Sequence, residues 1–108
     1  QQPIYTEGVW MLRDVTRAWE DNHTFTNLLA YTWTHNDERI LVVVNFSDMQ
    51  SQGRVPMPDI DLDGAEWKLT DRLDDNKIYH RDGDRMHTDG LYIDLMPWQG
   101  HIFSMKHL

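Results

Sequence analysis

Eighteen carboxylates, six histidines and five tryptophans are the side chains with chemistry to offer in this 108-residue chain, which contains no cysteine. Asp71, Asp74, Asp75, Asp82, Asp84, Asp89 and Asp94 could be drawn as acid and base pairs. A carboxylic acid that is to donate a proton near neutrality needs burial or a like charge to raise its pKa. These residues fall in turns or on polar strand positions, which predicts solvated carboxylates. No Ser-His-Asp ordering and no Gly-rich phosphate loop is present. Catalytic residues are therefore not expected in this chain.

Two metal arrangements can be tested on spacing. Asp59-Ile60-Asp61-Leu62-Asp63-Gly64 has the alternating carboxylates and glycine of a calcium loop. That loop takes a bidentate Glu at its twelfth position, which here is Thr70. The missing ligand makes the segment an acidic turn. The histidines stand at 23, 35, 80, 87, 101 and 107, none paired four apart. His80 and His87 could face each other across a turn at Asp82-Gly83, but two imidazoles without a third ligand make a poor zinc site. No metal and no cofactor is expected.

The tryptophans offer binding chemistry. An exposed indole face is an apolar platform on which the C–H face of a sugar can stack. Trp19 lies in a polar neighbourhood, Arg17-Ala18-Trp19-Glu20-Asp21-Asn22, which predicts exposure. Trp10 and Trp33 could face either way. Trp67 shares its alternation with Leu69 and Leu73 and is expected in the core.

These residues must be held by β-structure. Ile40-Leu41-Val42-Val43-Val44 is a run of branched and apolar residues that favours extended backbone. It is too short to span a bilayer and predicts a central strand covered on both faces, ended by Asn45, Ser47 and Asp48. Further strands are expected at 9–15, 28–34, 54–57, 66–73, 78–81, 85–88, 91–95 and 101–105. Turn signals such as Asp63-Gly64, Asp75-Asn76, Asp82-Gly83 and Asp89-Gly90 separate many of them. Residues 16–26 read as a long loop or a short helical turn. The pattern predicts an all-β, antiparallel two-sheet β-sandwich of about eight strands with Greek-key connections. At 108 residues this is a single domain. The net charge of -8 argues against nucleic acid as a partner, and no membrane segment is read. The chain shows no signal peptide and does not begin with Met, so it reads as a piece of a longer protein.

The order of the pieces resembles the C-terminal β-sandwich of the α-amylase family of glycoside hydrolases. The matching residues are Leu29-Ala30-Tyr31-Thr32-Trp33, Ile40 through Ser47, the Pro-bearing Val55-Pro56-Met57-Pro58, and Trp67-Lys68-Leu69. They continue through Gly90-Leu91-Tyr92-Ile93-Asp94-Leu95-Met96-Pro97-Trp98 and close on Ile102-Phe103. The resemblance covers roughly residues 28–105 and implies a non-catalytic accessory domain, in which Trp98, matching the family's closing aromatic after Pro97, is expected to pack. In that family two carboxylates of a preceding (β/α)8 barrel do the chemistry, and such a barrel takes about 250 residues. The implied partner is that barrel, carried on the same polypeptide and leading in through residues 1–7, and the implied role is to pack on it and stabilise it. The alternative is a starch- or glycogen-binding module using Trp19, Trp10 or Trp33.

Overall fold

The computed structural model describes residues 8–36, 38–57 and 66–107. Eight strands form: β1 (Val9–Arg13), β2 (Leu28–His35), β3 (Glu38–Asn45), β4 (Ser51–Val55), β5 (Glu66–Asp71), β6 (Lys77–Asp82), β7 (Leu91–Leu95) and β8 (Gly100–His107). All pair antiparallel, in two sheets, which is the all-β sandwich that the alternation and turn spacing predict. The sheets are very unequal. One has six strands in the order β1-β2-β3-β8-β5-β6, and the other only β4-β7. The last strand thus fills the gap between β3 and β5, and strands distant in sequence become neighbours.

One hydrophobic core lies between the sheets. Leu28, Ala30, Leu41, Val43, Leu69, Phe103 and Met105 face it from the large sheet, and Val55, Leu91, Ile93 and Leu95 from the small one. Burying each of these side chains other than Ala30 stabilises the fold by about 2 kcal/mol. Gly53 of β4 is buried where an added Cβ would press on Val15, so a side chain there would drive the two segments apart.

Four sequence expectations are corrected. The valine run is not equally covered on its two faces. Leu41 and Val43 are buried by the second sheet, whereas Val42 and Val44 are only half-buried. Strand β5 stops at Asp71, so Leu73 is not a core residue; it sits in the following turn, 60% exposed. The segment after Asp82 is no hairpin arm but a short helix, α1 (Gly83–Thr88). The Asp82 carboxylate accepts from the Asp84 N–H, a local N-cap that competes with strand pairing, and Met86 anchors the helix in the core. His80 and His87 consequently do not face each other across paired strands. Trp98, expected to pack, is 65% exposed, with a left-handed backbone (φ 61°). That conformation costs a bulky residue on the order of 1 kcal/mol.

Residues 14–27 form a loop ending in one 3-10 turn, Thr24–Asn27. Asn22 organises it from a buried position: its Oδ1 accepts from Ala18 N–H at 2.9 Å, and its Nδ2 donates to Thr24 Oγ1 at 3.1 Å.

Candidate functional site

The outer face of the large sheet has two halves of opposite character. Successive strand residues point to opposite faces, so the residues that alternate with the core line this side. On β1, β2 and β3 they are apolar: Trp10 and Leu12, then Leu29, Tyr31 and Trp33, then Ile40, Val42 and Val44. Ile102 of β8 continues the band opposite Val42. Trp10 and Leu12 are largely exposed, and Leu29, Tyr31, Val42, Val44 and Ile102 are half-buried. On β5 and the end of β8 the same face turns basic and polar, with Lys68, Thr70, Ser104 and Lys106.

The tryptophans separate on this frame. Trp33 is fully buried and cannot offer a ring to a sugar, which corrects its place among the platform candidates. Its indole lies against His35, stacked at 5.9 Å, and Trp10, tilted at 6.4 Å, and a Cβ on Gly8 would collide with it. Trp10 and Trp19 are each about half exposed, but they occupy different elements, β1 and the 14–27 loop. Trp67 is buried in the core, as its alternation predicts, with the Arg39 guanidinium 5.6 Å from its ring centroid. Trp98 is the most exposed of the five. It belongs to the end of the sandwich where Phe46, Met49 and Met96 are also exposed on the loops around 46–50 and 96–99. The inward expectation for Trp98 came from the resemblance alone, and the positive φ that turns it outward leaves no signal in the sequence.

The narrow second sheet cannot span the large one. On the β5–β6 side it leaves a cleft of about 230 Å³ lined by Tyr79, Arg81, Tyr92, Asp94, His101 and Phe103, with Leu69 and Leu91 at its floor. Tyr79 packs edge-on to Phe103 and lies between the Lys77 ammonium and the Arg81 guanidinium, at 5.3 and 5.2 Å. The Tyr92 phenol is pushed above its ordinary range by burial and then by the Asp94 carboxylate, with Arg54 opposing. It is a hydrogen-bond donor at neutral pH.

Behind this cleft sits a pair that the sequence did not announce. Asp71, expected in solvent, is 1% exposed and holds His101 Nδ1 at 2.5 Å. Its other oxygen accepts the Leu73 and Ile102 N–H groups at 3.1 and 3.2 Å. His101 stacks on Phe103 at 4.6 Å. Among the described residues no hydroxyl is hydrogen-bonded to His101, so the pair lacks the third member of a nucleophilic triad. The two backbone amides on Asp71 give it a job in closing the end of β5. Among the described residues no three His, Cys, Asp or Glu side chains converge on a point that could hold a metal ion. The calcium-like segment 59–64 lies outside the described residues.

Fold and surface together define a class: a two-sheet antiparallel sandwich whose larger sheet leaves one half of its outer face apolar. No protein-family description matches the chain, and no curated protein matches it significantly.

Proposed function

We propose that this chain is the non-catalytic C-terminal β-sandwich of an α-amylase-like glycoside hydrolase acting on α-glucans. In this reading it packs on the catalytic barrel and stabilises it. The observation that supports it is the apolar band from Trp10 and Leu12 through Tyr31 and Val42 to Ile102, which lies outside the domain's own core. Such a face gains from being covered, at about 25 cal/mol for each Å² of apolar surface removed from water. A barrel on the same polypeptide is held at high effective concentration and loses little freedom on docking.

The test uses the barrel-linked enzyme. Leu12→Lys changes an exposed position and should alter the stability of the domain alone by no more than about 0.5 kcal/mol. In the whole enzyme it should lower the barrel's melting temperature by several degrees, and deleting the domain should also cost soluble enzyme. A barrel that melts at the same temperature with and without the domain would refute the packing role.

A second reading, an α-glucan-binding module, draws on the exposure of Trp19 and Trp10. Tryptophan fluorescence titrated with maltoheptaose should then shift saturably and lose the response in Trp19→Ala. A flat titration of the unaltered chain removes this reading and leaves the packing role standing.

A further inference from the structure

The other half of the outer face carries an arrangement that packing on a barrel does not call for. Lys68 of β5 stands directly opposite Lys106 of β8 in the strand register, with Thr70 opposite Ser104 one step along. Like charges in directly opposed cross-strand positions destabilise a sheet. Arg72 joins them from the end of the strand, its Nε donating to Ser104 Oγ at 2.7 Å. With Asn76, whose left-handed backbone (φ 59°) shapes the turn after β5, these residues line an open depression of about 420 Å³.

Every residue that lines it can donate a hydrogen bond, and three of the six are cations. Lys68, Arg72 and Lys106 form no ion pair with a carboxylate among the described residues. The acids nearest in register on this face, Glu66 and its partner Asp82, lie two residues further along β5 and β6. In a chain of net charge -8 with ten basic residues, three that gather without a counter-ion among the described residues are an ordered exception to the composition.

We propose that this depression is a binding site for a soluble phosphoryl group. A phosphoryl group carries close to two negative charges at neutral pH and offers acceptor oxygens in several directions. Those oxygens match two ammonium groups, a guanidinium with its terminal nitrogens still available, and the Thr70 and Ser104 hydroxyls. A membrane headgroup is disfavoured as the source, because the chain's overall negative charge opposes approach to an anionic surface. The proposal is independent of the packing role, since it uses none of the apolar band.

The experiment is an amide chemical-shift titration of the 108-residue chain with inorganic phosphate at pH 7, against chloride at equal ionic strength. Phosphate should give saturable shifts confined to β5, the end of β8 and the intervening turn. Lys106→Gln should weaken binding about tenfold, the loss of one charged hydrogen bond. Measured without phosphate at low salt, the same variant should melt higher, because the opposed charges are relieved. Lys68→Glu, which can pair with Lys106, should melt higher still and bind no phosphate, and Arg72→Lys should weaken binding with the fold intact. Shifts no larger than those from chloride, or phosphate binding untouched by Lys106→Gln, would overturn the site. So would a melting temperature that falls in both lysine variants, which would make the lysines structural. A pocket that meets only an acidic protein surface would ignore phosphate, and that too overturns it.

Discussion

Asn45→Ala should lower the unfolding free energy by about 3 kcal/mol, and the melting temperature by about 15 °C. Asn45 is fully buried at the end of β3. Its Nδ2 donates to the carbonyl oxygens of Met49 at 2.7 Å and of Leu95 and Met96 at 3.1 Å each. Its Oδ1 accepts from Ser47 Oγ at 2.8 Å. One side chain therefore joins the large sheet, the loop that leaves it and the end of β7 in the small sheet. Alanine takes this donor from all three carbonyls, of which Met49 keeps the Ser51 hydroxyl and Met96 the Gln99 N–H, and leaves a cavity beside them. Asn45→Asp keeps the shape but aims a carboxylate at those carbonyls, and at pH 7 it should cost more than alanine. The sign with pH follows. A carboxylate so placed is protonated more readily in the folded state than in the unfolded one, so the variant recovers stability as pH falls. Chemical denaturation of both variants at two pH values checks this. An alanine variant that loses less than about 1 kcal/mol would show that water replaces the side chain.

Asn45 also marks how far the sequence could be read. Its short polar side chain, ending a run of apolar residues, placed the end of β3 correctly. Nothing local showed that the same side chain would be sealed from water by a strand fifty residues away. The same division runs through the fold. Trp67 and Leu69, and Leu91, Ile93 and Leu95, were legible because alternation is a local property of one strand, whereas the unbroken run at Ile40–Val44 showed a strand but not that Leu41 and Val43 alone face the core. The six-and-two split of the strands was not, because it depends on β8 inserting between β3 and β5. The half-covered face at Val42 and Val44 was not legible either, because in a two-sheet sandwich the second sheet covers only one face of the first, and the run of apolar residues does not show which. Leu73 and α1 were misread where a carboxylate, Asp71 or Asp82, takes backbone N–H groups and turns the chain. In the candidate surfaces the residue types were visible, but not their pairing. Lys68 and Lys106 become neighbours only through the β5–β8 register, and Asp71 meets His101 by the same crossing.

That crossing makes the second large effect. Asp71→Ala should cost about 3 kcal/mol, because it strips a buried acceptor from two backbone amides and from His101. Asp71→Asn keeps an oxygen for the Leu73 and Ile102 N–H groups and should cost about 1 kcal/mol. His101→Gln leaves both amides satisfied and should also cost less than Asp71→Ala. This order separates two accounts of the pair. If the carboxylate mainly closes the end of β5, the amides dominate and Asp71→Ala stands apart from the other two. If its main partner is the imidazole, Asp71→Asn and His101→Gln should each approach the alanine loss, and the double variant should lose little beyond either single one. The first order is expected, because the amides fix where the chain leaves the sheet and so where Arg72 and the turn at Asn76 lie. On that account the buried carboxylate on the inner face sets the position of the cations on the outer one. Asp71→Ala should then weaken phosphate binding even under conditions in which the variant is fully folded.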